Sequence, residues 1–258
     1  SFGILRFKEL AHELEKTEYK LKKRVNDMAD RDALYPYADG SRYRGKSGRE
    51  VFSEIYDKAG WNLTHQDSVS GEGSDTKQTA QLRVALLPLL QELEVRTMLD
   101  IPCGDFHWMQ EVDLSGIRYT GADIVLALVN QNQQRYASEN RAFRVLDMTQ
   151  DSLPVTDLVF CRDCLVHLSL ADIRAALTNV VRSGTSWLMM THFPEQESNK
   201  DIVTGGWRPL NFCRPPFNLP EPHKLINEGC TEMDGAFNDK SMAVWKVRRI
   251  RDIAFLRA

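Results

Sequence analysis

The chain has 258 residues, 42% of them apolar and 27% charged, with a formal net charge of −3. That length holds one large α/β domain with an appendage but not two full enzymatic domains. The slightly acidic balance argues against nucleic-acid binding, which calls for a basic face, and no apolar run is long enough to span a bilayer. With no signal-peptide pattern at the N-terminus, a cytoplasmic protein is expected, at most peripheral to the inner membrane through a larger assembly. The five cysteines are odd in number and sparse, which suits a reducing compartment. Cys161-Arg162-Asp163-Cys164 spells a CxxC, but no second close pair completes a zinc ribbon, so these cysteines read as small buried apolar residues.

Phe2 to Met28 reads as one long helix, with Phe7, Leu14, Leu21 and Met28 in a heptad among Lys, Arg and Glu. Residues 1–34 therefore form an N-terminal helical arm, either packed on its own domain or serving as a short coiled coil or connector. Residues 35–75 are a linker and cap segment, opened by the turn at Tyr35–Gly40 and carrying a short amphipathic helix from Glu50 to Ala59. Gly71–Ser74 is a Gly-rich loop that suits either a linker or an anion cradle. Asp75 is expected to cap a helix starting at Thr76, which Pro88 should kink or restart.

Residues 76–258 form the main domain, where strand and helix alternate. That pattern argues for a doubly wound, Rossmann-like α/β sheet, mostly parallel. Strands are expected at Thr97–Leu99, Ile117–Asp123, Phe143–Asp147, Leu158–Cys161 and Trp187–Thr191, with helices over Val125–Ser138 and from Ser169 to Gly184. Lys224–Glu228 and Met242–Val247 look like a C-terminal antiparallel strand pair.

The first strand runs into Asp100-Ile101-Pro102-Cys103-Gly104-Asp105, where Gly104 lets a backbone approach a ligand closely. Asp100, Asp123 and Asp147 each close a strand, so all three belong on the carboxyl-end rim of the sheet. In open α/β sheets that rim holds nucleotide-like ligands. An acid after the second strand can accept from both hydroxyls of a ribose, and Asp147 can accept from the exocyclic amine of an adenine.

From about Asp75 to Val247 the chain resembles the class I S-adenosylmethionine-dependent methyltransferases. Leu99 to Asp105 stands where that family carries Asp/Glu-x-Gly-x-Gly-x-Gly, with Pro102 in place of the first glycine and Gly104 the one retained. The resemblance implies S-adenosylmethionine as cofactor, with Asp100 and Gly104 bordering its methionine part and Asp123 holding the ribose. It further implies that Asp147 and the Met148 backbone meet the adenine, and Pro102, Asp105 and Cys161 complete the expected contacts. More narrowly, Leu99–Met109, Cys161–Ser169 and Asp201–Asn211 look like a subgroup associated with surface-glycan loci. That likeness implies O-methylation of a sugar hydroxyl and an adjoining glycosyltransferase domain, while the heptad of the helical arm suits a homo-oligomer or a connector to such a domain.

A sugar hydroxyl is a poor nucleophile, so a base near it should help. His167, a few residues after the fourth strand, is the expected base, with Asp163 to orient it and Arg162 to hold Asp163 or a substrate oxygen. His192, at the end of the fifth strand, is the competing base. Trp207 and Arg208, in the long segment from Phe193 to Pro222, are expected on the substrate side. Asp163 and His167 supply only two ligands, so no divalent metal is expected. Methylation of a phosphate, carboxylate or other small nucleophile, and a non-catalytic cofactor-binding scaffold, remain open on the residues alone.

Overall fold

The computed structural model describes residues 40–61 and 67–257. The expected arm at 1–34 lies outside the described residues, as does the start of the linker. Among the described residues no helix is long and apolar enough to cross a membrane.

Helix α1 spans Gly48–Asp57 and starts two residues earlier than its apolar pattern suggests. The reason is a capping box: Ser47 Oγ accepts from the Glu50 amide, and the Glu50 carboxylate accepts from the Ser47 amide at 2.8 Å. Val51 and Ile55 bury against Tyr43. Helix α2 spans Ala80–Glu92, not the expected start at Thr76. Residues 75–79 are held instead in turns, with the Thr79 amide and hydroxyl both donating to the Asp75 carbonyl. Pro88 lies inside α2 without ending it. Its missing N–H costs the bond to residue 84, which lies on the solvent side of the helix with Val84 78% exposed.

The strands are β1 (Thr97–Asp100), β2 (Arg118–Asp123), β3 (Arg141–Val145), β4 (Leu158–Cys161), β5 (Trp187–His192), β6 (Lys224–Asn227) and β7 (Ser241–Lys246). Helix α3 (Leu126–Tyr136) links β2 to β3, and α4 (Leu170–Ser183) links β4 to β5. Together the strands form one seven-stranded sheet in the order β3-β2-β1-β4-β5-β7-β6. Strands β1 to β5 pair in parallel, and β7 runs antiparallel to β5 with His192 opposite Ser241. The C-terminal antiparallel pair is β6 with β7.

Side chains alternate across this sheet with the period of two that a pleated strand requires. Met98, Leu158, Phe160, Met189 and Val244 bury with Leu82, Leu86 and Leu90 of α2 and Val129 of α3. Leu99, Val159, Cys161, Leu188 and Ala243 bury on the other face with Ile173, Ala176, Leu177 and Val180 of α4. Each large aliphatic side chain so enclosed is worth about 1.5–3 kcal/mol. Ser169 caps α4 by accepting from the Asp172 amide at 3.1 Å, and Gly184 ends it with φ at 77°.

One expected strand end is corrected. Strand β3 stops at Val145, two residues before Asp147. The Leu146 amide makes the last bond to the neighbouring strand, at the Asp123 carbonyl. Asp147 then folds into a turn, its carboxylate accepting the amide and hydroxyl of Thr149 at 2.8 and 2.6 Å.

Candidate active site

Strand order reverses between β1 and β4, so the loops leaving their carboxyl ends part and open a crevice. A cavity of about 330 Å³ fills it. Its floor comes from the loops after β1, β2, β3 and β4. One wall comes from α1 and the residues near Gly71, another from Trp207 and the connection between β6 and β7.

At the β1–β3 end, Asp100, Pro102, Gly104, Asp105, Asp123, Asp147 and Met148 all line the cavity. Asp100 is buried and accepts from the Tyr119 hydroxyl at 2.5 Å; burial pushes its carboxyl up to about 7. Asp123 accepts the Gly104 amide at 3.2 Å and the Val125 amide at 3.0 Å, with burial raising its carboxyl to about 6 against those bonds. Gly104 has φ of 55°, and a Cβ there would stand 2.5 Å from Ser70 Oγ. Glycine is thus required both by the backbone and by the close approach of Ser70. Asn132, from α3, holds the same loop by donating to the Gly104 carbonyl at 2.7 Å. Nothing in its local sequence distinguishes Asn132 from an ordinary polar helix residue.

Two expected contacts of this end are revised. The Asp105 carboxylate is engaged by Ser68 Oγ and the Val69 amide, both at 2.9 Å, and by Ser70 Oγ. It therefore ties the segment before Gly71 across the cavity mouth. Cys161 does not line the cavity at all: strand alternation turns it into the α4 face of the core, its sulfur 3.8 Å from that of Met148. Cys164 lines the cavity in its place. All five cysteines are free thiols, and no cluster of metal-ligating side chains is found among the described residues.

At the β4–β7 end, His167 lies on a single 3-10 turn, Leu165–His167, and lines the cavity. The expected orientation by Asp163 is not what the structure shows. His167 Nδ1 stands 2.8 Å from the Gly206 carbonyl, which can only accept, so Nδ1 carries the proton and Nε2 is free to accept one. Burial lowers the pKa of the imidazole, keeping it neutral. Its ring packs against Trp61 with centroids 5.3 Å apart.

Asp163 turns to cations. Arg162 Nη1 is 3.2 Å from its carboxylate and Lys240 Nζ is 2.7 Å away. Arg162 also pairs with Glu228 at 2.6 Å, both side chains almost fully enclosed, and donates to the Gly73 carbonyl at 2.7 Å. These cations hold the Asp163 carboxyl well below the usual carboxylate range despite burial, and the surrounding carboxylates raise Lys240 in turn. Lys240, Glu228 and Glu232 carry no sequence motif. Only the sheet brings them beside Arg162 and Asp163.

Of the expected substrate-side residues, Trp207 lines the cavity and packs edge-on against Phe237 at 4.8 Å. His192 and Arg208 are corrected to internal positions. His192 is 2% exposed; its Nδ1 accepts from the Phe212 amide, and its ring meets Trp245 at right angles. Arg208 is also 2% exposed and spends its guanidinium on the carbonyls of Leu165, Val166 and Lys200, fixing the turn that carries His167.

Solved structures superpose on this seven-stranded fold. PigF with S-adenosylhomocysteine superposes with a TM-score of 0.54 at 13% identity, over 88% of this chain and 68% of that one. The N-methyltransferase NodS from Bradyrhizobium japonicum WM9, in complex with S-adenosylhomocysteine, gives 0.53 at 15% identity, over 74% of this chain and 97% of that one. This chain has the class I methyltransferase fold. No family model matches it, and no curated protein matches it by sequence. In this methyltransferase fold the cavity described above occupies the crevice at the strands' carboxyl ends, between the Gly104 loop and the turn of His167.

Proposed function

We propose that the protein is an S-adenosylmethionine-dependent O-methyltransferase acting on a sugar hydroxyl, as in a surface polysaccharide or related glycan. The β1–β3 end fits the cofactor. Gly104 leaves its loop bare for a close approach, and Asp100 and Asp123 place buried carboxyl groups on the same wall. Asp100, Pro102 and Gly104 would border the methionine part, Asp123 would accept from the ribose hydroxyls, and Asp147 with Met148 would face the adenine. When bound, the cofactor supplies a methyl group already activated on a sulfonium.

The protein's remaining task is to orient an acceptor hydroxyl and remove its proton. The observation that carries the reading is the tautomer of His167. With Nδ1–H tied to the Gly206 carbonyl, a neutral imidazole on the cavity wall keeps Nε2 as a base. Trp61, Trp207, Phe52 and Tyr56 add aromatic surface on the same walls, suited to the apolar face of a sugar. Glu72, Asp163 and Glu232 on the cavity wall are balanced by Lys46, Arg162 and Lys240, so the lining leaves no cation in excess for a phosphate or carboxylate acceptor.

Calorimetry with S-adenosylhomocysteine tests the cofactor assignment: saturable binding is expected, and no heat from the folded protein would sink it. Incubation with labelled S-adenosylmethionine and a panel of glycosides, sugar phosphates and uronic acids tests the acceptor. Label transfer to a neutral glycoside oxygen is expected, and methylation of phosphate or carboxylate alone would replace this reading.

A further inference from the structure

We propose that the Asp163–Lys240 pair recognises the acceptor, the carboxylate accepting and the ammonium donating hydrogen bonds to two neighbouring hydroxyls of one neutral polyol. The inference rests on the methyltransferase reading and adds the acceptor's chemistry to it.

Both side chains line the cavity. Asp163 is held there rather than merely present. Its backbone φ is 51°, a left-handed conformation uncommon outside glycine, and its amide donates to Thr191 Oγ1 at 2.7 Å. Local strain of that kind concentrates at functional positions. The side chain remains 26% exposed although Arg162, Lys240 and Thr191 all contact it. A carboxylate offers about four lone-pair positions and an ammonium three protons. Lys240 spends one proton on Asp163 at 2.7 Å and reaches Glu232 only at 3.5 Å, so the pair keeps one acceptor and one donor for a ligand.

Gly73 supplies an independent observation. A Cβ at that position would stand 3.1 Å from Asp163 Oδ2 and 3.2 Å from Lys240 Nζ. Glycine there adds no side chain over the pair, whose open part is the 26% exposed Asp163 carboxylate beside the more enclosed Lys240, 5% exposed. Arg162, beneath the pair, is already matched by Glu228, so it holds the Asp163 carboxylate without needing charge from a ligand. A buried ion pair is a weak source of stability, and an apolar pair of similar volume would serve packing better. A donor next to an acceptor on a cavity wall is instead the pattern that matches adjacent hydroxyls. The nearby carboxylates of Glu72 and Glu232 leave no cation in excess for an anionic acceptor.

The test uses the full chain saturated with S-adenosylhomocysteine. Saturation-transfer NMR is recorded with methyl hexopyranosides and their monodeoxy counterparts, alongside steady-state methylation from S-adenosylmethionine. Removing one hydroxyl of the recognised pair should weaken binding roughly tenfold to a hundredfold in the wild type, the worth of a hydrogen bond to a charged group. In Asp163→Asn and Lys240→Met the acceptor KM should rise by a similar factor, the deoxy penalty should largely vanish, and S-adenosylhomocysteine affinity should stay unchanged. Lys240→Arg should restore part of the loss.

Folded variants with wild-type acceptor KM, or with an undiminished deoxy penalty, would overturn the pairing. So would a wild-type preference for uronic acids, or methylation of an amino sugar at nitrogen. If either variant fails to fold, the wild-type deoxy series decides alone, and a flat series rejects the proposal. Loss of S-adenosylhomocysteine binding in the wild type is a different failure: it removes the methyltransferase reading beneath this inference.

Discussion

The two ends of the cavity are built in different ways. The β1–β3 end is local: Asp100 and Asp123 end their own strands, Asp147 follows its strand by two residues, and neighbouring backbone amides from Gly104 and Val125 complete the site. The β4–β7 end is assembled from distant pieces. Arg162 and Asp163 follow β4, Glu228 follows β6, Lys240 precedes β7, and the Gly73 carbonyl arrives from before α2. The first end relies on backbone dipoles and glycine clearance, the second on opposed charges taken out of water. A backbone-built site tolerates loss of one side chain at a modest cost in folding. A charge-built site does not, because each removed partner strands another buried charge.

That contrast is broken most directly at Arg162. Arg162→Ala should cost about 3–5 kcal/mol by leaving Glu228 buried and unpaired, measured by urea unfolding. Arg162→Met combined with Glu228→Leu should recover most of the loss, and additive damage instead would show that the pair is not the reason. His167→Ala should then lower turnover by about a hundredfold to ten-thousandfold while cofactor affinity stays nearly intact. Because burial lowers the His167 pKa, its base form persists below pH 6.5, so the wild-type rate at saturating cofactor should hold on mild acidification and fall only under that pKa. A rate already halved at pH 7 would assign the base elsewhere.

At the other end, Asp123→Ala should weaken S-adenosylhomocysteine binding roughly tenfold to a hundredfold, with a loss of about 1–3 kcal/mol in unfolding free energy from the Gly104 and Val125 amides it strands, less than at Arg162. A large stability loss with unchanged affinity would reverse the two ends' roles. Asp100 sharpens the same point through pH. Its carboxyl is raised to about 7, so it is mostly protonated at pH 6 and mostly ionised at pH 8. Affinity for a ligand bearing an ammonium beside it should therefore rise about tenfold across that interval. A flat titration curve would place the ammonium away from Asp100. The smallest effect belongs to neither end: Ser169→Ala should remove the α4 cap at a cost of about 1 kcal/mol, with cofactor affinity unaffected.

The same division explains what could be read beforehand. Strand boundaries, the α4 cap and the rim carboxyl groups were legible because period-two alternation, Ser at an N-cap and Asp at strand ends are local signals. Asp147 was displaced from its expected strand end because its own carboxylate stabilises a turn with Thr149, competing with the ladder. Cys161 was misplaced through a one-residue question of facing, which only the sheet's register settles. Asp163 and His167 were rightly put near one another in the chain, yet Lys240 claimed the carboxylate and Gly206 the imidazole. No spacing rule links residue 163 to 240. Arg208 and His192 look like ligand-binding types, but both are buried in the core, Arg208 Nη1 donating to the Leu165 and Val166 carbonyls and His192 Nδ1 accepting the Phe212 amide.

Strand β7 runs antiparallel to its neighbour β5, so it brings its beginning to the rim where β1 to β5 bring their ends. The thirteen residues from Glu228 to Lys240, between β6 and β7, are consequently delivered whole to the β4–β7 end of the cavity, with Glu232, Met233, Phe237 and Lys240 all on its wall. None of them belongs to the loops after β1, β2 or β3. The two ends of this connection, Glu228 and Lys240, are clamped by their ion pairs to Arg162 and Asp163. Exposed positions between them, such as Met233, can be rewritten to reshape this end of the cavity while the bonds of the Gly104 loop to Asp123 and Asn132 stay as they are.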